Sequence, residues 1–360
     1  MLSKLLSRSC HGLINRGILP RLKKKYSRLS LERLEDRLVP TTYNVGPGQA
    51  LATIGAVPWN NLQAGDVVNI NWQANPYHEK IVLSASGTAA QHIVINGIAG
   101  PQGQLPVLDA TNATSSPNSP QFGYTPIEDL GLIVIFRDQT QQFGYLPSYL
   151  DINNLQLQGA NAGASFTGYD GDSRTYAGGA AGIWMEGAAN VTIHGCTITN
   201  NSNGVFAKSG GEPATTTYAV TLDSNYIYGN GVVDNYLYHN SYVEADGAVY
   251  QYNRYGPLRA GAPGNALKDR SAGTVIRYNY IQDGGHLLDL VDAQDGAPVL
   301  TTAPNYNQTF VYGNILVSDA NGPALLVHYG GDDNVNANYR NGTLYFYNNT
   351  VIATVDQSNR

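Results

Sequence analysis

The residues best suited to chemistry concentrate between positions 239 and 285. This segment holds five of the eleven Lys and Arg residues that follow residue 40, namely Arg254, Arg259, Lys268, Arg270 and Arg277. Lys268 and Arg270 are two residues apart, so on a β-strand they would share one face, roughly 7 Å from each other. Such clustering in a chain otherwise short of cations predicts an anionic ligand.

A Lys and an Arg on one strand face suit the cleavage of a uronic acid polymer by β-elimination. This reaction removes a proton from the carbon beside a carboxylate, so the carboxylate must be neutralised and a base must lie nearby. Arg270 or Arg259 would bind the carboxylate through a planar guanidinium. Lys268 would be the base if a neighbouring cation lowers its pKa. His239 is a further candidate acid or base.

The elements that position these residues form a repeat. After residue 140, short alternating apolar runs recur with a polar residue near the centre, as in VTLDSNYI (220–227) and VIRYNYI (275–281). Aligning Gly195, Asn225, Asn253, Asn279, Asn314 and Asn349 gives steps of 30, 28, 26, 35 and 35 residues. A period of this size built from short strands without helices predicts a parallel β-helix. The recurring Asn would then stack from coil to coil in a structural role.

The first strand of each unit places unusual residues on one outward face. Residues two apart share a face, so Met185, Val243 and Leu267 would point inward. The residues expected to point outward and to bind substrate are Trp184, Glu186, Phe206, Lys208, Tyr242, Glu244 and Asp289, with His286 flanking them. Aromatic rings interleaved with charges suit a chain of sugars. The alternative is an ordinary polar sheet face.

Charge separates the chain into two segments. The net charge of −6 combines +7 over residues 1–40 with −13 over residues 41–360. A body so poor in cations disfavours nucleic-acid binding.

Cys10 and Cys196 indicate no disulfide framework. No run approaches the ~18 apolar residues of a membrane span, and the first residues lack the apolar core of a classical signal peptide.

Residues 28–40, RLSLERLEDRLVP, suit a short amphipathic helix ended by Pro40, or a solvated basic tail. Leu31 to Arg37 together with Pro40 resemble the LEPR-XLL-type motif found ahead of large surface proteins in planctomycete-like bacteria. The resemblance implies export or an envelope location. We therefore expect a targeting segment over 1–40 and a β-helix over 41–360.

Residues 41–360 resemble the right-handed parallel β-helix proteins of the pectate-lyase-like superfamily. The stretches TYNVGPGQALATIGAVPWNNLQAGDVVNI and LSASGTAAQHIVINGIAGPQGQLPVLDA are similar to their first coils. His239, Asn240 and Tyr242 followed by Lys268, Arg270, Ser271 and Ala272 resemble a motif of bacterial β-helix proteins, and ALKDRSAGTVIRYNYI looks like the Lys-bearing strand of alginate-type lyases. Those lyases carry a second Arg in the next coil, where this chain has Leu287–Asp292 without Arg.

Several hypotheses remain open. Without the second Arg, Ca²⁺ could neutralise the carboxylate, held by Glu244, Asp246, Asp269, Asp289 and Asp292, or these are solvated acidic turns. The favoured function is an acidic-polysaccharide lyase, secreted or at the cell surface. The alternative is a non-catalytic carbohydrate-binding or structural module, and a glycoside hydrolase ranks lower. We also expect a further domain or a capping partner to cover the C-terminal coil.

Overall fold

The computed structural model describes residues 39–120, 127–138, 140–319 and 325–353. The predicted N-terminal motif, its helix and Cys10 fall almost wholly before residue 39, outside the described residues. The targeting segment and the division of the chain at residue 40 therefore stay predictions.

Short strands, numbered in chain order, build three sheets, and they pair in parallel except for the antiparallel pair of β10 (Ser165–Thr167) and β11 (Ser173–Thr175). The first sheet has ten strands: β1 Thr42–Val45, β2 Val67–Asn71, β4 Ile93–Ile98, β8 Ser148–Asn153, β13 Ala189–His194, β16 Tyr218–Asp223, β19 Asp246–Gln251, β22 Val275–Arg277, β25 Gln308–Tyr312 and β28 Thr343–Tyr347. The second has eleven: β11 Ser173–Thr175, β10 Ser165–Thr167, β6 Ala113–Ser115, β3 Glu79–Leu83, β7 Gly131–Phe136, β12 Ala181–Glu186, β15 Asn203–Lys208, β18 Ser241–Val243, β21 Leu267–Asp269, β24 His286–Leu290 and β27 Leu325–Tyr329. The third has eight: β5 Val107–Asp109, β9 Gln156–Gln158, β14 Thr197–Thr199, β17 Tyr226–Tyr228, β20 Arg254–Tyr255, β23 Tyr280–Gln282, β26 Ile315–Ser318 and β29 Thr350–Ala353.

The chain visits the sheets in turn, so that each coil pairs with the next. β13, β14 and β15 follow one another in sequence and lie in the first, third and second sheets. Each then pairs in parallel with a strand of the following coil, as β13 does with β16 and β15 does with β18. This winding confirms the parallel β-helix predicted from the repeat.

Helices contribute little to the described residues. They comprise α1 (Ala297–Leu300) and the 3-10 turns Ile54–Ala56, Trp59–Asn61, Ile127–Leu130 and Pro213–Thr215. No helix among the described residues is long and apolar enough to cross a membrane.

The inward faces of the three sheets form one continuous core. Val205 and Met185 of the second sheet are fully buried, as are Ile193 of the first sheet and Ile198 of the third. Met185, Val243 and Leu267 point inward as the alternation predicted, and each is 0% exposed. Burial of this continuous apolar surface is the main force that holds the coils together.

A ladder of buried Asn side chains marks the turn between the first and third sheets. Each Asn side-chain oxygen accepts the backbone N–H of its counterpart one coil earlier, as Asn279 does from Asn253 at 2.9 Å. The predicted structural role of these Asn residues is confirmed. One aligned position was wrong: Cys196, not Gly195, donates its N–H to Asn225, because the pairing of Ile193 with Leu222 sets that register.

The last described coil leaves apolar side chains exposed. Tyr345, Tyr347, Val351 and Ile352 of β28 and β29 are 41–46% exposed. The expected further domain or capping partner stays a prediction.

Candidate functional site

A ladder of outward-facing residues runs along the second sheet, one residue per coil. Trp184, Phe206, Tyr242, Lys268 and Asp289 are consecutive partners in the strand register, and His328 of β27 follows Asp289. The sequence had aligned the first five. The sheet therefore brings aromatic, cationic, anionic and imidazole groups into a single row.

The aromatic part of this row is stacked on itself. The ring centroids of Trp184 and Phe206 are 4.1 Å apart, and those of Phe206 and Tyr242 are 4.7 Å apart, with nearly parallel planes. Because the rings cover each other's faces, they stabilise the coil stack. The expectation that these rings offer open platforms for sugars is not met by their geometry.

Glu186, Lys208 and Glu244, each two residues after an aromatic residue of the row, form a second row of charges. The segment before α1 partly covers this second row. Glu244 is buried, and its Oε1 accepts the backbone N–H groups of Gln294 at 2.7 Å and Gly296 at 3.0 Å. Burial raises the pKa of Glu244 and of Glu186. Lys208 Nζ lies 3.4 Å from Oδ2 of Asp295 in the same covering segment. The expected exposure of Glu244 to a ligand is therefore not observed.

Lys268 is the centre of a buried ionic network. Its Nζ donates to Asp289 Oδ2 at 2.5 Å and to Asp332 Oδ2 at 2.6 Å, while its side chain is 9% exposed. Both contacts are charge-assisted hydrogen bonds in which the ammonium donates. Lys268 is thus arranged as a fixed positive charge, whereas the sequence hypothesis required a proton acceptor.

Arg270 extends the network along the same strand direction. Its Nη2 donates to Asp332 Oδ1 at 2.6 Å and its Nη1 donates to the Asp292 carbonyl at 2.5 Å. Lys268 and Arg270 therefore bind the two oxygens of the same Asp332 carboxylate. Burial alone would raise the pKa of Asp332, but the hydrogen bond and charge of Lys268 outweigh burial and lower it.

Asp289 and His328 form a carboxylate–imidazole dyad. His328 Nδ1 lies 2.8 Å from Asp289 Oδ1. Burial disfavours the charged Asp289, yet the Lys268 ammonium lowers the pKa of Asp289 below its ordinary value. An ionised carboxylate only accepts hydrogen bonds, so in neutral His328 the proton is on Nδ1 and the basic lone pair is on Nε2. The His328 side chain is 37% exposed.

Asn265 and two further histidines complete the wall of the site. Asn265 donates from Nδ2 to Asp289 Oδ2 at 2.6 Å, and its Oδ1 accepts from His286 Nδ1 at 3.0 Å. His239 Nδ1 accepts the Asn265 backbone N–H at 3.0 Å. Burial, with a smaller contribution from Lys268, lowers the pKa of His239 to about 3. His239 is therefore neutral, with its remaining N–H on Nε2.

These groups line one cleft of about 450 Å³ on the outside of the second sheet. Its wall includes Tyr242, His239, Asn265, Lys268, Arg270, His286, Asp289, His328 and Asp332, with Tyr236, Leu237 and Leu325 at the rim. A cleft of this size with convergent polar groups is a typical ligand site.

Arg259 lies outside this cleft. Its Nη2 donates to Asn161 Oδ1 at 2.6 Å and to Asn200 Oδ1 at 3.1 Å, and it lines a neighbouring cavity of about 500 Å³ with Asp283. The structure thus brings Arg270, but not Arg259, beside Lys268.

The five carboxylates considered for Ca²⁺ do not converge. Asp269 binds Arg340, Tyr250 and Thr274 in the interior, and Glu244 is held by backbone N–H groups. In the described part of the chain, no group of three or more acidic, His or Cys side chains has an arrangement that could hold a metal ion.

The sequence hypothesis missed Asp332, His328 and Asn265. Asp332 follows Lys268 by 64 residues in a loop between coils, where no periodic pattern applies. His328 could have been found, because it continues the row after Asp289 in the strand register.

Comparison with known proteins identifies the fold class of this chain. No family model matches the sequence and no curated protein matches it. A pectin methylesterase variant solved in complex with a hexasaccharide is 13% identical, with a TM-score of 0.50 over 89% of this chain and 93% of the other. Pectin methylesterase PemA from Erwinia chrysanthemi is 13% identical over the same shares, with a TM-score of 0.48. An alginate lyase from a Paenibacillus species is 15% identical over 81% and 94%, with a TM-score of 0.46. The chain is a right-handed parallel β-helix protein, and at these identities the likeness shows its fold alone.

Proposed function

We propose that the cleft cleaves an acidic polysaccharide by β-elimination, and that the protein acts outside the cell on uronate-containing chains. The observation that carries this proposal is the binding of both Asp332 oxygens by Lys268 and Arg270. The two cations already bind both oxygens of one carboxylate, and a uronate presents the same group. Substrate would displace Asp332 from them.

The roles follow from the contacts. Lys268 and Arg270 neutralise the uronate carboxylate and so acidify the adjacent C–H. His328 Nε2 accepts that proton, since Asp289 orients the ring and stabilises the imidazolium. The released electron pair forms the carbon–carbon double bond while the glycosidic C–O bond breaks, and the departing oxygen takes up a proton from water. His239 donates from Nε2 to a substrate hydroxyl. The base role thus moves from Lys268, where the sequence placed it, to His328.

The test is an absorbance assay for the unsaturated product on polygalacturonate, alginate, hyaluronan and glucuronan. We expect one polymer to be cleaved, and His328→Gln to reduce kcat by about 10²–10⁴-fold. Lys268→Met and Arg270→Met should raise KM and lower kcat. Asp332→Asn removes the competing carboxylate and should lower KM. Arg254→Gln, a cation of the third sheet that lies over Tyr226, is the matched control and should leave the kinetics unchanged.

A non-catalytic binding module is the second candidate. It is favoured by the complete pairing of Lys268 with two carboxylates, an arrangement that also serves stability. Binding of a uronate polymer without any product, and with equal affinity in His328→Gln, would establish this alternative. Unchanged cleavage by His328→Gln would instead remove His328 from the mechanism.

A further inference from the structure

A second row of residues, at the corner between the first and third sheets, has an unusual backbone. The residue before each ladder position has a positive φ, between 53° and 68°, at Asn154, Gly195, Ser224, Tyr252, Tyr278, Gly313 and Asn348. Gly, Asn and Ser are the residues expected there, because a larger side chain is strained in the left-handed conformation. Two adjacent coils nevertheless carry Tyr.

These two tyrosines are also exposed. Tyr252 is 57% exposed and Tyr278 is 48% exposed. Each therefore combines a strained backbone with an apolar ring in water. Strained residues persist only where the surrounding structure imposes the conformation, and they cluster at functional sites. Core packing explains neither the strained backbone nor the exposed ring, because the two rings lie outside the core.

The tyrosines belong to a longer aromatic strip. The Tyr252 and Tyr278 ring centroids are 5.4 Å apart in an offset stack, Tyr278 meets Tyr312 edge-on at 5.6 Å, and Tyr312 stacks on Tyr347 at 5.1 Å. A Cβ on Gly313 would lie 2.7 Å from the Tyr278 ring, so this glycine leaves room for that ring. We call Tyr252, Tyr278, Tyr312 and Tyr347 the tyrosine strip.

Hydrogen-bonding groups lie directly beside the tyrosine strip. Arg277 donates to Gln251 Oε1 at 2.6 Å and to the Tyr312 hydroxyl at 3.2 Å. Gln251 in turn donates to Asp223 Oδ2 at 3.2 Å. These residues occupy successive coils of the first sheet in register. Unlike the rings of the cleft row, Tyr252, Tyr278 and Tyr347 stay about half exposed despite their stacking. The strip thus offers exposed ring surface and polar groups repeated at the coil spacing of about 4.8 Å.

We propose that the tyrosine strip binds an extended polysaccharide chain at a second, non-catalytic site. Pyranose C–H groups would lie against the exposed parts of the rings, and hydroxyl groups would bond to Asp223, Gln251 and Arg277. One ring per coil over four coils makes a strip on the order of 15 Å long. A linear glycan fits such a narrow repeat.

The test is affinity electrophoresis and calorimetry of the full chain with neutral and uronate-containing polysaccharides. Tyr252→Asn with Tyr278→Asn is the key variant, because Asn348 occupies the equivalent position and the fold accepts it. We expect a loss of affinity of about tenfold or more with an unchanged or raised Tm. Tyr149→Asn is the matched control, since Tyr149 also has a positive φ (54°) but lies outside the strip.

The experiment distinguishes polysaccharide binding by the tyrosine strip from the proposed cleavage in the cleft. Strip binding should persist in Lys268→Met and change little with salt, because it depends on stacking rather than charge. Equal affinity of the double variant and the wild type would overturn the proposal. So would the absence of binding to every polysaccharide, or a tyrosine-dependent dimer of the chain in sedimentation analysis.

Discussion

At the scale of single residues, the charge state of each group in the cleft follows from its neighbours. Lys268 and Arg270 hold Asp289 and Asp332 ionised. Asp289 in turn determines which nitrogen of His328 carries the proton. The charge states in the cleft are therefore decided by hydrogen bonds among three successive coils, not by residue type.

His239 gives this site a pH-dependent stability. Its pKa falls from 6.5 to about 3 on folding, because burial disfavours the imidazolium. Between those values the unfolded chain binds a proton that the folded chain does not, so stability falls as pH is lowered from 6.5 towards 3. The contribution is about 1.4 kcal/mol per pH unit. Denaturant titrations at pH 6.5 and 4.5 measure it.

The matched variant is His239→Asn, which keeps an acceptor for the Asn265 N–H. We expect the wild type to lose about 2–3 kcal/mol more than this variant between the two pH values. His194→Asn, at a half-exposed site, should behave like the wild type. Parallel pH profiles for wild type and His239→Asn would contradict the buried, neutral assignment.

At the scale of elements, the Asn ladder fixes how successive coils turn. Asn279 donates to the Tyr250 carbonyl at 2.9 Å and to Asn314 Oδ1 at 3.0 Å, and it accepts from the Asn253 N–H. All these groups are buried, so the ladder satisfies turn groups that no strand can pair.

Asn279→Ala should therefore lower the stability of the fold. The truncation leaves the Asn253 N–H and the Tyr250 carbonyl without their partners, and we expect a loss of about 2–4 kcal/mol in the free energy of unfolding. Asn60→Ala, at an exposed position, should change it by less than about 0.5 kcal/mol. Equal denaturation midpoints for both variants would show that the ladder is dispensable.

At the scale of the whole molecule, one ion pair ties a loop between coils to the interior. Arg340 Nη2 donates to Asp269 Oδ1 at 2.7 Å, and both side chains are 0% exposed. Arg340 follows the loop that carries Asp332, so the same segment contributes a carboxylate to the cleft and a cation to the core. The stability of the cleft is thereby coupled to the packing of the last coils.

Arg340→Met should lower the free energy of unfolding by about 3–5 kcal/mol, because it leaves the Asp269 charge buried and unpaired. The double variant Asp269→Asn with Arg340→Met removes that charge and should recover part of the loss. Denaturant titration of the two variants gives the comparison. A double variant less stable than Arg340→Met would show that the charge is not the source of the cost.

The sequence by itself determined the coil repeat, the inward and outward faces, and the row from Trp184 to Asp289. These features are local, since alternation along a strand and a recurring Asn can be recognised within short segments of the sequence. Only the tertiary structure decided that Asp332 pairs with Lys268, that His328 binds Asp289, and that Glu244 is covered. Those contacts depend on loops whose lengths differ from coil to coil, and loop length sets which distant residues fold over the sheet.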